Sequence, residues 1–356
     1  MKATVYIIRH AEAEGNIYRR CHGIYDSLLT PRAYQQLPCL AKRFENVPLA
    51  AVYASPLFRA RTTAKAVAEP HGLSVELRND LHEIDMGDWE DLPWAELPHA
   101  WPEQYAKWCS RPWEAAPPHG ETVMQAGERM LNAVRRLAMN EIGWGDNTCV
   151  ARLDFDENGN IDIVYENDAS HLPQELSTFA SIGWKNTKGV PVSPQIWFRR
   201  ADPRNPQDVD KIVAFMRELH RNAYGTDENL DPEALLRDIE RAQQVSPRSC
   251  TFGLLEDGTP VALVYLKTWY DEEPGVGLVG GFCIDGDYRG CGLSAQILGQ
   301  AISVYRSLGR DWLCAHVAEK NMRAQGFYHK FAFEQRGEYR DENGLHYRMF
   351  KALHAK

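Results

Sequence analysis

The sequence has no long apolar run and no excess of positive charge, and each absence excludes a class of protein. No apolar stretch approaches the roughly 18–20 residues that span a bilayer. The start MKATVYIIRHAEAEGN lacks the pattern of a signal peptide, so we expect a cytoplasmic protein with no membrane partner. Residues 1–190 carry 19 basic and 26 acidic side chains, and residues 191–356 carry 21 and 23. Neither half has the basic excess that nucleic-acid binding requires.

Paired cysteines and biased tracts are also missing. The eight cysteines are scattered and no two of them form a C-x-x-C pair. This pattern predicts reduced, packed thiols, and neither a disulfide framework nor a zinc site. There is no internal repeat and no low-complexity tract. With 44% hydrophobic and 25% charged residues over 356 positions, the chain has the composition of a globular protein of about two domains.

Glycines and prolines concentrated between Ser181 and Pro206 mark the boundary between the two domains. We place it near residues 190–196, which gives domains 1–190 and 191–356. In the first domain, short apolar runs at Thr4–Ile8 and Leu49–Ala54 alternate with helical periodicity, clearest across Thr122–Met139. Strands separated by helices predict an α/β domain with a mostly parallel sheet.

The second domain is predicted to begin with two helices, over Asp208–Arg221 and Asp231–Ala242, and Pro232 suits the first turn of the second helix. The pattern then predicts strands and helices in alternation: Cys250–Leu255, Val261–Trp269, Val276–Ile284, the helix Leu293–Leu308, Trp312–Val317 and the helix Asn321–Phe331. A last hairpin turns at Asn343-Gly344, a sequence typical of a type I′ turn.

Arg9 and His10 form the first candidate site, because they end the first strand, where parallel α/β sheets bind ligands. The loop 11–16 that follows supplies polar groups. The segment Ser55–Ala64 starts a helix directly after another short strand and contains arginines. A helix amino terminus with an arginine attracts anions. Arginines on both sides of a neutral imidazole would hold a phosphoryl group while the imidazole attacks phosphorus.

These stretches resemble the histidine phosphatase superfamily, which has the phosphoglycerate-mutase-like fold. The similarity continues through Gly23–Asp26, Leu29–Pro31, Leu81–Glu90 and Gly120–Thr122. It implies a three-layer α/β/α domain in which His10 is the nucleophile that becomes phosphorylated and Glu83 protonates the leaving oxygen. The residues that it implies for phosphate binding are Arg9, Asn16 and Arg59.

Two departures from the family pattern bear on catalysis. Ala11 replaces the glycine that usually follows the histidine. The family also has a second pocket histidine, in a His-Gly pair after the helix that Thr122–Met139 matches. Here the chain passes from Ile142 almost directly to Trp144 without that strand, that pair or the next helix. Losing an inner strand should cost more than the ~5–15 kcal/mol that stabilises a domain. Either the sequence omits a segment of an active phosphatase at this point, or the deletion is real and the domain is an impaired phosphatase or only binds a ligand. His171 resembles a late, structural histidine and is left out of the site.

A glycine-rich loop provides the second candidate site. Tyr288–Ser294 reads Tyr-Arg-Gly-Cys-Gly-Leu-Ser, follows the strand Val276–Ile284 and opens a helix. Glycines let the backbone approach a ligand closely, and successive N–H groups at a helix start favour a pyrophosphate. A tight strand-to-helix turn without a ligand would have the same glycines.

Together with Asn321–Phe333, this loop resembles the GNAT N-acetyltransferases, over Trp197 to Leu353. The resemblance implies an α+β domain with a mixed sheet, acetyl-CoA as cosubstrate, and Tyr328 as the acid that protonates the departing thiolate. The coenzyme A contacts that it implies are Cys283, Ile284, Arg289, Gly290, Cys291, Gly292, Leu293, Ser294 and Asn321. Ser294 departs from the family's glycine or alanine at the last position of the loop.

The sequence leaves the proton acceptor for the amine open. Glu319 and His316 lie near a strand end, and both are equally well explained as solvent-facing side chains. An acyl-cysteine at Cys283 or Cys291 is disfavoured, because no base histidine is evident beside either thiol.

The two sites favour a bifunctional enzyme that hydrolyses a small phosphomonoester and N-acetylates a small amine, and the fusion suggests consecutive steps on one metabolite. An alternative is an acetyltransferase whose first domain only binds a ligand or docks a partner, and the same histidine chemistry also allows a phosphoryl mutase. Neither site requires a metal, and self-association stays open. A group of tryptophans either covers the phosphatase pocket or packs as core: Trp89, Trp94, Trp101, Trp108 and Trp113.

Overall fold

The computed structural model describes residues 3–135, 146–156, 161–178, 194–341 and 343–354. These residues form two compact units, the first within 1–192 and the second within 193–356, apart from the short segment 93–96, which groups with the second. The predicted boundary at residue 190 and the junction between Ile142 and Trp144 lie outside the described residues. Within these ranges, no helix combines the length and the apolar character needed to cross a membrane.

The first unit alternates short strands and helices. Its elements are β1 (Ala3–Ile8), α1 (Glu14–Tyr18), α2 (Ala33–Phe44), β2 (Val52–Ala54), α3 (Phe58–Ala68), β3 (Val75–Leu77), α4 (Leu97–Ala100), α5 (Pro102–Ser110), α6 (Val123–Arg135), β4 (Val150–Phe155) and β5 (Ile161–Asp168). The predicted first strand is confirmed. The helix predicted from Thr122 is confirmed as far as Arg135, and its remainder to Met139 lies outside the described residues.

The larger sheet of the first unit has the order β1-β4-β5, and both of its ladders are antiparallel. Ala3 pairs with Phe155 and Ile8 with Val150. Among the strands that the structure describes in this unit, β2 and β3 alone pair in parallel, in a separate two-stranded sheet. The prediction of a mostly parallel sheet is therefore wrong for the larger sheet. The short segment 156–160 joins β4 to β5, and a connection of that length permits only antiparallel pairing.

A buried apolar cluster anchors the elements that carry the first site. Leu40 and Phe44 of α2 pack with Val67 of α3 against Val150 of β4. Tyr6 of β1 joins this cluster, and its ring meets that of Phe44 edge to face at 5.3 Å. Burial of such side chains contributes roughly 1.5–3 kcal/mol each. This packing holds β1 and α3 firmly, and both elements end or begin at candidate site residues.

The second unit follows the predicted order of elements closely. Its elements are β6 (Trp197–Arg200), α7 (Pro206–Tyr224), α8 (Pro232–Val245), β7 (Cys250–Leu254), β8 (Pro260–Lys267), β9 (Val276–Ile284), α9 (Leu293–Ser307), β10 (Trp312–Ala318), α10 (Met322–Lys330), β11 (Glu334–Asp341) and β12 (Gly344–Ala352). Asp231 caps α8 ahead of Pro232, and the final hairpin turns just before Gly344, as predicted. The sequence missed β6, whose four residues end in two exposed arginines and show little apolar pattern.

Seven strands of the described part of this unit form one mixed sheet, in the order β11-β12-β10-β9-β8-β7-β6. Of these seven, β9 and β10 run parallel to each other, and α9 connects them as a crossover helix. The predicted mixed sheet is confirmed.

Helices cover the two faces of this sheet. On one face, Ile212 of α7 and Ile239 of α8 pack on Leu263 and Tyr265 of β8. On the other face, the ring of Tyr305 from α9 lies against Gly277, where a Cβ would come within 2.4 Å of it. Its hydroxyl donates a hydrogen bond to the Leu278 carbonyl at 2.6 Å. We refer to these below as the α7/α8 face and the α9 face.

Candidate functional site

His10 lies at the carboxyl end of β1, as predicted, and one of its ring nitrogens is already engaged. Nδ1 is 2.7 Å from the backbone oxygen of Ala11. Because a carbonyl can only accept, Nδ1 must carry the proton of the neutral ring. Nε2 therefore keeps its lone pair. That is the tautomer an imidazole nucleophile needs.

Hydrogen bonds from two directions hold the backbone around His10. The Asn147 side-chain amide donates to the His10 carbonyl at 2.9 Å, from the segment before β4. The Ala11 N–H donates to the Thr63 hydroxyl at 2.9 Å, and that hydroxyl donates to the Arg59 carbonyl at 2.7 Å. The imidazole is thus positioned by α3 on one side and by residue 147 on the other. The sequence did not single out Asn147 or Thr63, because neither spacing nor composition shows these bonds.

Arg59 is almost fully buried in the first turn of α3, with 2% of its surface exposed. Its guanidinium donates to the backbone oxygens of Tyr25 at 2.9 Å and Gly23 at 2.6 Å. A buried guanidinium with a remaining edge of N–H groups, at the positive end of a helix, is suited to an anion.

Glu83 lies close to both site arginines. Burial lowers the pKa of Arg9 and of Arg59, and Glu83 is the carboxylate that opposes the shift most in each case. Its own side chain is exposed, with one oxygen accepting from the Ile84 N–H at 3.1 Å. Electrostatic interactions thus connect Glu83 with Arg9 and Arg59, and both arginines with His10, while the Glu83 side chain is exposed.

Asn16 presents its amide nitrogen as the available group. Its side-chain oxygen accepts from the Ala13 N–H at 2.8 Å and faces the Asn147 amide at 3.4 Å. With the oxygen held by donors, the NH2 group remains to bind an anion. The role of Asn16 in holding phosphate stays a prediction.

The protonation of His10 leads to a testable prediction. Burial, and then Arg59 and Arg9, lower its pKa well below 6.5. In the unfolded chain this ring takes up a proton near pH 6.5, so below that pH the unfolded state binds more protons and the stability of the fold decreases. We expect NMR of the 15N-histidine protein to show His10 neutral as pH falls through 6.5, with His10→Gln identifying its signal. A His10 ring that titrates at 6.5 or above would contradict this electrostatic description.

Glu90 organises the loop that holds Arg59, a role that the sequence did not reveal. Its carboxylate accepts backbone N–H groups from Gly23 at 3.1 Å, Ile24 at 2.8 Å and Tyr25 at 3.1 Å. The Gly23 and Tyr25 carbonyls of the same loop accept from Arg59. Glu90 ends a motif that the sequence does show, but the backbone groups it binds become visible only in the tertiary structure.

We expect Glu90→Gln to loosen this loop. An amide has one acceptor oxygen, and its NH2 group would face backbone donors, so hydrogen bonds to a charged group are lost. The free energy of unfolding should fall by about 2 kcal/mol, and kcat/KM for p-nitrophenyl phosphate by about tenfold, as Arg59 moves. Urea denaturation and steady-state kinetics measure the two effects. Asp88→Asn is the control, because Asp88 is exposed and contacts His119. Equal behaviour of the two variants would exclude the positioning role.

His171 makes structural contacts. Its Nε2 is 3.0 Å from the Thr148 hydroxyl and its Nδ1 is 3.3 Å from the Arg43 guanidinium. Burial and the neighbouring Arg43 lower its pKa to about 4. The ring therefore stays neutral and ties α2 to the segment before β4.

The tryptophans of this unit differ among themselves. Trp89 is fully buried, and its ring contacts those of Trp101 at 6.5 Å and Trp108 at 5.6 Å. Trp113, by contrast, is 55% exposed. Trp89, Trp101 and Trp108 pack with Tyr105 as an aromatic cluster, which agrees with a role in the core.

The second site lies where β9 and β10 separate. Their parallel ladder covers three pairs and ends at Leu278 and Cys314. Yet β9 continues to Ile284 along β8, and β10 continues to Ala318 along β12. Beyond the last pair, each strand therefore has an edge with no strand on it among the described residues. An extended chain carrying amide groups can bind such an edge of β9.

The loop after β9 supplies backbone donors. Gly290 and Gly292 both have a φ of +83°, in the left-handed region that glycine adopts at little cost. Gly292 is the N-cap residue of α9, and no side chain caps this helix start. The N–H groups of the first turn, with the positive end of a 15-residue helix behind them, are suited to a pyrophosphate. Arg289 turns its side chain away, to the Ile284 carbonyl at 3.0 Å and to Glu218 of α7.

Tyr328 is buried on α10, close to both separated strands. Burial raises its pKa, and the Cys314 and Cys283 thiols raise it further. The phenol therefore keeps its proton at neutral pH, as a proton donor must. Asn321 caps α10, with its oxygen accepting from the Ala324 N–H at 3.0 Å. Its predicted contact with the cofactor would have to come from the amide nitrogen.

The thiols near this site agree with the packing role predicted for them. Cys283 is buried in the core cluster on the α7/α8 face, and burial raises its pKa. Among the residues that the structure describes, no three His, Cys, Asp or Glu side chains are grouped so that they could hold a metal ion.

Comparison with known families assigns both parts of the chain. Residues 5–151 match the Histidine phosphatase superfamily (branch 1). Residues 213–333 match the Acetyltransferase (GNAT) family. Both are enzyme families, and membership of the second implies the use of acetyl-CoA.

Individual relatives match the first part of the chain. Phosphoserine phosphatase 1 of Hydrogenobacter thermophilus is 31% identical over 138 residues, which are 38% of this chain and 65% of that protein. Adenosylcobalamin/alpha-ribazole phosphatase of Salmonella typhimurium is 31% identical over 133 residues, which are 37% of this chain and 66% of that protein. The chain thus spans slightly less than two thirds of the length of either relative.

Solved structures also match this part. Bacillus stearothermophilus YhfR aligns with a TM-score of 0.44 and 28% identity, over 47% of this chain and 98% of that one. The range that matches the histidine phosphatase family contains His10, and the range that matches the GNAT family contains the loop 289–294. The chain joins a domain of the histidine phosphatase superfamily, with its phosphoglycerate-mutase-like fold, to a mixed-sheet acetyltransferase domain of the GNAT family.

Proposed function

We propose that the first domain, within residues 1–190, hydrolyses small phosphomonoesters through a phosphohistidine at His10. The observation that carries this proposal is the hydrogen bond from Nδ1 to the Ala11 carbonyl, which leaves Nε2 as a free nucleophile. Nε2 attacks phosphorus, the P–O bond to the leaving group breaks, and Glu83 protonates the departing oxygen. Water then attacks phosphorus and gives a proton back to Glu83, the P–N bond to His10 breaks, and phosphate leaves.

The phosphoryl oxygens are held by the guanidinium groups of Arg9 and Arg59 and by the amide of Asn16. Donors that are already in place stabilise the charge that develops in the transition state. The phosphatases to which the chain is similar are named for phosphoserine and for alpha-ribazole phosphate chemistry. We therefore propose a small, non-polymeric phosphomonoester as the substrate class.

We further propose that the second domain, within residues 191–356, transfers an acetyl group to a small amine. The backbone amides of residues 289–294 would bind the pyrophosphate of coenzyme A, and the free edge of β9 at Cys283 and Ile284 would pair with its amide-bearing arm. When bound, acetyl-CoA supplies an activated acetyl thioester. The Tyr328 hydroxyl lies near β9 and β10 and keeps its proton. It would protonate the thiolate of coenzyme A as it leaves.

Assays on the purified chain test both proposals. We expect phosphate release from p-nitrophenyl phosphate, and thiol release from acetyl-CoA in the presence of primary amines. Phosphate binding without turnover would instead support a first domain that only binds its ligand. Absence of coenzyme A binding, measured by calorimetry, would overturn the acetyltransferase proposal.

A further inference from the structure

His316 borders the gap between β9 and β10. It lies two residues beyond Cys314, the last residue of β10 that pairs with β9. Side chains alternate along a strand, so His316 projects from the same face as Cys314. Its cross-strand partner on β12 is Arg348, and the residue is partly exposed to solvent. His316 is thus a titratable side chain beside the opening in the sheet.

This side chain belongs to the α7/α8 face. Cys314 clusters there with Leu278 and Phe350, and Phe350 shares a face of β12 with Arg348 and His346. The ring of Tyr224, at the end of α7, contacts His346 at 5.7 Å. The coenzyme-binding loop, by contrast, opens α9, which packs on the other face. An acceptor at His316 and a coenzyme at the start of α9 would therefore reach the gap from opposite faces.

Tyr339 of β11 orients the His316 ring. Its hydroxyl is 3.1 Å from Nδ1 of His316. The Tyr339 ring is itself fixed by stacking on His346, with centroids 5.0 Å apart and planes 12° from parallel. With Nδ1 directed at Tyr339, Nε2 is the nitrogen left to meet a ligand.

We propose that His316 is the residue that accepts the proton of the amine during acetyl transfer, an inference that rests on the acetyltransferase activity proposed above. The amine nitrogen bonds to the acetyl carbon, and the thioester C–S bond breaks. The proton leaves the nitrogen for Nε2 of His316, while Nδ1–H donates to the Tyr339 oxygen. The sulfur takes the electron pair of the broken bond and is protonated by Tyr328.

The surroundings of His316 favour its neutral form. The groups that face it are Arg348 and His346 from β12, Lys267 from β8, Glu273 from the segment before β9, and Tyr339 from β11. Burial lowers the pKa of His316 to about 4, assisted first by Arg348 and then by Lys267. The ring is therefore unprotonated throughout the neutral range. Above pH 5 we expect the rate to follow ionisation of the amine substrate.

Glu319 is the competing candidate. It follows the end of β10, is exposed, and has its N–H bonded to the Leu345 carbonyl at 2.9 Å. Among the residues that the structure describes, its hydrogen bonds are made by its backbone, unlike the side-chain contact between His316 and Tyr339. Substitution of each residue separates the two candidates directly.

The experiment compares His316→Ala, Tyr339→Phe and Glu319→Gln with wild type in the full chain. The amine probes are ethanolamine, O-phosphoethanolamine and spermidine, and the readout is thiol release from acetyl-CoA. His316→Ala should lower kcat/KM for the amine by about 10²- to 10⁴-fold, the usual range for proton transfer. Tyr339→Phe should lower it by about tenfold, because it removes orientation only. The control is His329→Gln, an exposed histidine on α10.

Two further readouts separate chemistry from structure. Calorimetric affinity for coenzyme A should be unchanged in His316→Ala, and added imidazole should restore part of its activity by filling the vacated space. Unchanged turnover in His316→Ala, or a larger loss in Glu319→Gln, overturns the inference while the proposed function stands. So does a wild type that binds coenzyme A but acetylates none of the probes, since a base at His316 should serve any amine that reaches it. Failure of wild type to bind coenzyme A overturns the proposed function itself.

Discussion

Replacement of His10 by alanine is expected to lower phosphatase kcat/KM by at least about 10³-fold, because it removes the atom that we propose forms the covalent intermediate. Nε2 is that atom, since Nδ1 is bound to the Ala11 carbonyl. The arginines would still hold phosphate, so inorganic phosphate should inhibit or bind His10→Ala about as well as wild type. The measurement is steady-state hydrolysis of p-nitrophenyl phosphate, with 31P NMR of the quenched enzyme to detect the phosphohistidine.

His119→Ala is the matched control, because this histidine of the same unit has 84% of its side chain exposed and contacts only Asp88 among the groups described. It should retain full activity. Hydrolysis that survives in His10→Ala, or a phosphohistidine signal that persists in it, would rule out His10 as the nucleophile. The acetyltransferase activity of the same preparation reports whether the variant chain is intact.

The second large effect is expected at Gly292, where a single negative charge should weaken the binding of coenzyme A. Asparagine and aspartate are the residues besides glycine that best tolerate a left-handed backbone, and Gly292 has a φ of +83°. Gly292→Asn and Gly292→Asp therefore impose similar strain and differ in charge alone. An anion placed among the amides that face the pyrophosphate should weaken binding about tenfold or more relative to asparagine, which is ~1.4 kcal/mol.

Calorimetry with coenzyme A measures this difference, and the same pair of substitutions at Gly309 serves as control. Gly309 also has a left-handed backbone, with a φ of +67°, and open space around a Cβ, but it follows the other end of α9. Equal affinities of the Asn and Asp variants at position 292 would show that the loop does not hold the pyrophosphate. The effect should shrink as salt is added, because exposed charges are screened.

Much of the second domain could be predicted from the sequence because its signals are local. Asp231 and Pro232 start a helix at the predicted place, and Asn343-Gly344 turns a hairpin. The glycine-rich loop could be recognised from its own residues. Its glycines allow the left-handed backbone, and a glycine at the N-cap position leaves the helix start without a side-chain cap. For the same reason Arg9 and His10 could be placed at the end of the first strand.

Other features could not be predicted, because they depend on contacts between distant parts of the chain. Antiparallel pairing of β1 with β4 joins residues about 150 positions apart. Glu90 serves the site through backbone groups near residue 24. The sequence shows which side chains of β10 share a face, because side chains alternate along a strand. It does not show that β9 separates from β10 beyond Cys314 and leaves His316 beside the gap.

The sequence alone predicted which chemistry to expect of the two domains, because an imidazole flanked by arginines and a loop of glycines before a helix act through their own atoms. The tertiary structure decided how those groups are presented. The Ala11 carbonyl holds the proton of His10 on Nδ1 and leaves Nε2 free. The Glu90 carboxylate holds the loop that orients Arg59. The separation of β9 from β10 leaves a gap beside His316. The physical reason is that hydrogen bonds and burial are set by which distant segments meet, and local spacing does not specify that.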